Sequence, residues 1–402
     1  MSASFESLRA LFADAGYGFV EPPIVFPASV FVEVAGEDLR RRLFLTSAED
    51  GAELALRPDY TIPVCLTHLA AGPAKRRADY AYLGPVFRQR SDGPGEFLQA
   101  GVESLGRTDR VGADADVLAL AFAAAKLLAI RKSAVFIGDS GLFSAVLQAL
   151  DLSPPWRRRL ARAFGDPDRL RALIAKANDH EAAAGDMPPA LAGASRARVK
   201  RTVDALFAAT GLGVIGARNA EEIAERFIDK EVLAKGIDER AAVVLSEFLA
   251  IAGTPSATVK ALKALARRAR LDLGPAIARF AERIAAFADR GIDVERLAFA
   301  ADFGRRLDYY SGFVFEFRGS KRDPRPVIGG GRYDRLMSLI PRSSRGSAKE
   351  AVPAVGFAIW LDRIGGRAAS PPPGGGRSTA KRPVGGDGAE RRLRSTIHPT
   401  PA

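Results

Sequence analysis

The chain of 402 residues has one cysteine, Cys65, so no internal disulfide can form and a reducing, cytoplasmic setting is expected. Its three histidines, His68, His180 and His398, lie too far apart for local ligand spacing, and neither a metal nor a cofactor is expected. Long apolar runs are also missing. The longest, "VLALAFAAAKLLAI", is interrupted by Lys126 and falls short of the roughly 20 residues that a spanning helix needs. The opening "MSASFESLRALFADAGYGFVEPP" has acids in its first turns and no apolar h-region, so it reads as a helix with Phe5, Leu8, Leu11 and Phe12 on one face, not a secretion signal. No membrane contact is expected. Three enzyme signatures are absent too: "IGGGRYD" lacks the G-x-G-x-x-G spacing, no Walker lysine follows a glycine loop, and no G-x-S-x-G elbow accompanies His68.

What the chain has in excess is positive charge, a formal +12. Such an excess can point to nucleic acid, but much of it lies after Gly366, where seven basic residues face two acids in a Pro/Gly-rich segment almost without large apolar side chains. Residues 366–402 therefore read as a disordered, solvated basic tail, and nucleic acid is an unlikely partner.

The remaining composition, 47% hydrophobic and 26% charged, is that of an ordinary water-soluble fold. Residues 1–150 alternate helix and strand signals, and "ADYAYLGPVFRQR" and "GEFLQAGVESLG", separated by "SDGPG", read as an antiparallel hairpin. Gly112 to Ile130 reads as an Ala/Leu-rich helix, and "AVFIGD" then "SGLFSAVLQAL" as a strand and a capped helix. Residues 151–294 turn helical throughout. Ile277, Phe280, Ile284 and Phe287 mark the apolar face of one helix there, opposite Arg279, Glu282 and Arg283. Strand signals return in 295–365, where "LAFAADFGRRLDYYSGFVFEFRG" reads as a hairpin and "VIGGGRYDRLMSLI" as strand, glycine turn and helix start. The expectation is an α+β core made of 1–150 and 295–365, interrupted by a helical insertion.

Polar residues stand out within these apolar strands: Asp59 and Thr61 in "LRPDYT", Arg88 in "FRQR", Gln99 and Glu103 in "FLQAGVE", and Arg305, Asp308, Tyr309 and Tyr310 in "GRRLDYY". Gln99, Gly101 and Glu103 at i, i+2 and i+4 share one face of a strand. Carboxylates and a glutamine opposite arginines and tyrosines suit a ligand with an ammonium, a carboxylate and a polar ring; free histidine has all three.

Six segments, "LRPDYT", "YLGPVFRQR", "GEFLQAGVE", "RRLDYYSGFVFEF", "GGGRYD" and "VGFAIWLDR", occur in the order of the histidyl-tRNA synthetase catalytic core and span most of residues 5–364. The chain resembles that family, which implies a class II aminoacyl-tRNA synthetase-like antiparallel sheet flanked by helices, usually dimeric. It departs from the synthetases in three ways. Arg90 replaces a glutamate, Trp360 replaces a glycine of the third motif, and the tail stands where an anticodon-binding domain is expected. In these departures it resembles the synthetase-like regulatory subunits that accompany short-form ATP phosphoribosyltransferases in the first step of histidine biosynthesis. That resemblance implies a non-catalytic hetero-oligomeric subunit, required for full transferase activity and for feedback by L-histidine. A reduced histidyl-adenylate-forming ligase is the alternative.

The resemblance also assigns residues. Asp59 and Thr61 match ammonium contacts, Gln99 a position between ammonium and carboxylate, Glu103 and Tyr310 the imidazole contacts, Arg305 the carboxylate arginine and Tyr309 a pocket wall. Arg88 and Arg363 match the two arginines that meet ATP phosphates in synthetases and are read as remnants of that role, Arg88 being counted with the histidine pocket. Arg90, Trp360 and Arg363 are expected as remnants of a nucleotide site, with the indole in the vacated space.

Overall fold

The computed structural model describes residues 2–32, 34, 39–72, 77–91, 93–130, 133–176, 195–210, 220–305, 309–319, 325–340 and 351–364. The expected tail at 366–402, and Asp308, lie outside the described residues. Twelve strands are described: β1 (Gly18–Phe19), β2 (Val25–Pro27), β3 (Leu45–Ser47), β4 (Glu53–Leu56), β5 (Ala78–Phe87), β6 (Glu96–Leu105), β7 (Ala134–Asp139), β8 (Ala252–Gly253), β9 (Leu297–Ala300), β10 (Phe313–Arg318), β11 (Pro326–Arg332) and β12 (Ala354–Trp360). Nine form one sheet in the order β1-β5-β6-β12-β11-β10-β7-β9-β8, and β2-β4-β3 form a second.

The expected hairpin of β5 and β6 is present, pairing Ala78 with Leu105 through Phe87 with Glu96. The sheet is mixed, which corrects the expectation of an antiparallel one. β1 runs parallel to β5, and β7 parallel to β9. A parallel pair needs a long crossover, and the helical segments between β7 and β9 supply it. The same placement corrects the second hairpin: β9 and β10 do not pair, because β7 lies between them and β10 pairs instead with β11. Gly329 to Gly331 are not a turn either. They lie within β11, opposite Ala358, Phe357 and Gly356 of β12.

The helix Arg110–Leu127 is capped by Asp109, whose side chain accepts from the Gly112 amide, and its small buried residues Ala113, Ala121 and Ala124 let it lie close on the sheet. Most of the helical block at 151–294 shares this core: Trp156, Leu160, Leu170, Leu245, Phe248, Leu262, Ile277, Phe280 and Phe287 join the cluster that contains Val102, Phe315 and Phe357. Among the described residues of this block, the helices Arg196–Thr210 and Ala220–Ala234 enclose a separate small cluster, of Val199, Val203, Phe207 and Ala224.

Ile277, Phe280 and Phe287 of the helix Gly274–Asp289 are buried as the periodicity predicts, but Arg283 is buried with them. It belongs to a charge network that local periodicity does not show. Asp114, fully buried, accepts from Arg283 Nε at 2.8 Å and from Arg332 Nε at 2.9 Å. Arg283 also donates to Asp139, whose other oxygen caps the helix Ser140–Ala149 through the Gly141 amide. Arg332 in turn donates to Asp334 at 2.8 Å. These ions tie two helices, β7 and β11 together at the back of the sheet face that carries the candidate site.

Candidate functional site

Strand alternation builds the floor of the site. On one face, β6 presents Gln99, Gly101 and Glu103; directly opposite on β12 stand Trp360, Ala358 and Gly356. The next strand adds Gly329 and Gly331, paired with Ala358 and Gly356. The floor is therefore largely bare backbone. At two positions close approach requires it: a Cβ on Gly356 would strike the Glu103 carboxylate, and one on Gly329 the Arg305 guanidinium. The small residues of "AVGFAIW" thus make room for pocket side chains.

A narrow cavity of about 20 Å³ lies on this floor, and all eight residues expected for the histidine pocket line it. Sequence reasoning quoted Tyr333 in "GGGRYD" without giving it a role; it lines the cavity too. Its hydroxyl donates to Glu103 Oε2, while Thr61 Oγ1 donates to Oε1 at 2.8 Å and Tyr82 reaches the same oxygen at 3.5 Å. Gln99 Oε1 accepts from the Tyr60 amide at 3.2 Å. The signal that could have found Tyr333 was its position directly after a strand of floor glycines.

Although Asp59 Oδ1 accepts from the Ile62 amide at 3.4 Å, two charges of opposite sign each keep buried polar atoms without hydrogen-bond partners. Asp59 is 4% exposed, and its Oδ2 has none; the nearest cation, Arg88 Nη2, is 3.9 Å away, and Arg88 Nε donates instead to the Pro58 carbonyl. The Arg305 side chain is 9% exposed, and its Nε and Nη1 donate to nothing, with Glu316 at 3.7 Å as its ion pair. Its guanidinium lies over the Tyr310 and Trp360 rings at 5.5 and 5.4 Å. Burial opposes its charge, but the neighbouring tyrosines and Glu316 hold its pKa above the usual arginine value.

Burial pushes both carboxyls up, Asp59 against the pull of Arg88 and Glu103 to about 8 against its three hydroxyl donors. The folded protein therefore keeps a proton on Glu103 that the unfolded chain loses near its ordinary value of 4.5. This stability is fully present below about pH 4.5 and is lost as pH rises toward 8. Glu103→Gln should remove about one proton's worth of that decline when urea midpoints are compared from pH 5 to 8.5; an unchanged slope would place the proton elsewhere.

The three expected nucleotide remnants separate. Arg90 lines neither this cavity nor its neighbour: it pairs with Asp362 at 2.8 Å and lies 4.1 Å over Phe97, fastening its loop to the turn after β12. Trp360 is 4% exposed and sits between Arg305 and Arg363, the latter 4.8 Å from its ring. Trp360 is a wall shared with a second cavity of about 560 Å³, which Arg42, Arg318, Arg325 and Arg363 also line. Among the described residues no cluster could hold a metal ion, and no helix is long and apolar enough to cross a membrane.

The histidyl-tRNA synthetase family model matches residues 1–212 and 214–364. The ATP phosphoribosyltransferase regulatory subunit of Rhizobium rhizogenes is 43% identical over 366 residues, 89% of this chain and 95% of that protein. The protein of the same name from Mesorhizobium japonicum is 42% identical over 375 residues, 90% and 98% of the two chains. Among solved structures, an ATP phosphoribosyltransferase regulatory subunit/histidyl-tRNA synthetase from Bacillus halodurans aligns with a TM-score of 0.59 at 21% identity, over 90% of this chain and 78% of that one. Histidyl-tRNA synthetase from Nostoc sp. aligns with 0.56 at 17%, over 90% and 70%. At those identities the structures speak for a shared fold. The sequence relatives say more: this chain belongs to the family of ATP phosphoribosyltransferase regulatory subunits, built on the histidyl-tRNA synthetase core.

Proposed function

We infer that this chain is a non-catalytic subunit that activates a short-form ATP phosphoribosyltransferase and conveys feedback by L-histidine bound in the pocket of Asp59, Glu103 and Arg305. The relatives' names support the regulatory role. The ligand assignment is carried by one observation, the unpartnered Asp59 Oδ2 and the unpartnered Arg305 nitrogens lining the same cavity. Buried polar atoms left in this state cost about 1–3 kcal/mol each. A zwitterion relieves both ends at once, its ammonium on Asp59 and its carboxylate on Arg305, and the Glu103 carboxyl is available to the imidazole. Self-association as a dimer and a cytoplasmic setting belong to the same reading.

Coupling between a sensor pocket and a partner subunit is reciprocal, typically about 1–3 kcal/mol. Catalytic-subunit binding should therefore change histidine affinity by the factor with which histidine changes subunit affinity. Asp59→Asn should weaken histidine binding roughly 30-fold, about 2 kcal/mol, and move the midpoint of transferase inhibition equally. Calorimetry on the subunit and activity of the assembled complex measure the two. An inhibition curve that ignores this substitution would remove the pocket from the mechanism. The arginine-lined cavity beyond Trp360 is the one feature that favours a histidyl-adenylate-forming ligase; histidine-dependent exchange of pyrophosphate into ATP by the chain alone would establish it.

A further inference from the structure

Arg57 is 1% exposed and lines none of the cavities described above, yet its side chain is held on all sides. Nη1 donates to the carbonyls of Pro22 and Pro23 at 2.6 and 3.4 Å, Nε to the Pro85 carbonyl at 2.9 Å and Nη2 to the Tyr60 hydroxyl at 2.6 Å. No carboxylate neutralises it among these contacts. The guanidinium lies 4.2 Å over the Tyr60 ring, and Tyr60 stacks on Tyr82 at 4.4 Å with only 5° between the planes. From this column two contacts reach the pocket wall: the Tyr60 amide holds Gln99, and the Tyr82 hydroxyl faces Glu103 and the Phe357 carbonyl of the floor.

Burying a cation with no carboxylate beside it is costly, but an apolar side chain here would leave the Pro22 and Pro85 carbonyls without donors, so this place calls for a forked donor. We propose that Arg57 is a positioning residue for the ligand pocket: through the Tyr60–Tyr82 stack it fixes the orientation of Glu103, and with it the placement of an imidazole. The assignment rests on the histidine reading of the pocket. It also explains why a planar, forked donor stands there. Lysine carries a charge of the same sign, but it cannot serve four acceptors from one plane or lie flat on the Tyr60 ring.

The test is histidine binding by calorimetry, at pH 6 to 9, to wild-type chain and to Arg57→Lys and Tyr60→Phe variants, each also made with Glu103→Gln. Residues that orient the ligands of a metal site typically change affinity by about 10- to 100-fold when replaced, and the lower end of that range is expected for this pocket, where no metal is expected. Arg57→Lys should weaken histidine about tenfold and shift the pH profile of binding. Both effects should shrink to within about twofold in the Glu103→Gln background, because a residue acting through Glu103 is not additive with its loss. Tyr60→Phe keeps the stack and removes only the hydroxyl; it should weaken binding about threefold with the same non-additivity, and it carries the test if the lysine variant fails to fold. Equal losses in both backgrounds, or none, would overturn the role of Arg57 while leaving the histidine pocket standing. Wild-type chain that takes up no histidine would overturn both.

Discussion

Arg305→Ala is expected to weaken histidine binding by at least about 100-fold, the largest single effect in the pocket. Truncating one partner of a buried, hydrogen-bonded charge pair costs about 2–5 kcal/mol, and Arg305 is placed for the upper part of that range. Its side chain is almost wholly buried, its Nε and Nη1 have no other acceptor, and Tyr310 and Trp360 hold the guanidinium plane from two sides. Gly329 leaves the space in which it lies. Arg305→Lys should recover part of the loss, since an ammonium keeps the charge but not the two-pronged contact with a carboxylate. Calorimetric titration decides the matter. If the alanine variant binds within threefold of wild type, the carboxylate does not lie at Arg305 and the ligand is oriented some other way.

Asp114→Ala should destabilise the fold by about 3–5 kcal/mol, more than any single change in the pocket. Breaking a buried ion pair by removing one member costs about 3–5 kcal/mol because the charge left behind is less well compensated. Here one carboxylate serves two arginines, Arg283 and Arg332, on different elements and both largely buried. Arg283 would retain Asp139, and Arg332 would retain Asp334, so the chain should still fold in mild conditions. Arg332 immediately precedes Tyr333, the donor to Glu103, so histidine affinity should fall as well. Urea unfolding of wild type and variant measures the first effect. A loss below about 1 kcal/mol would mean that water takes the place of the carboxylate.

Much of the pocket was readable because polar residues interrupt strands that are otherwise apolar. Gln99 and Glu103, two apart on either side of Gly101, announced one polar face, and that face is the site wall. The β5–β6 hairpin was equally plain, since its loop is short and rich in turn formers. What stayed hidden depends on partners far away in sequence. Arg283 looks like a surface residue at its helical position because nothing within a few turns reveals Asp114 and Asp139. The insertion of β7 between β9 and β10 is likewise invisible to local alternation. Local sequence also could not show that Trp360 meets both Arg305 and Arg363 and lines two cavities, since those partners lie on other segments. Tyr333 was overlooked because the glycines before it read as a turn and not as a strand.

The glycine floor sets a limit on redesign. A pocket resting on side chains can be deepened by trimming them, but Gly101, Gly329 and Gly356 have nothing left to remove. Any substitution there raises the floor into Glu103, Arg305 or the neighbouring strand. A variant with a longer pocket must therefore be sought in the walls, at Thr61, Tyr310 or Tyr333, because a change from below would displace Glu103 or Arg305.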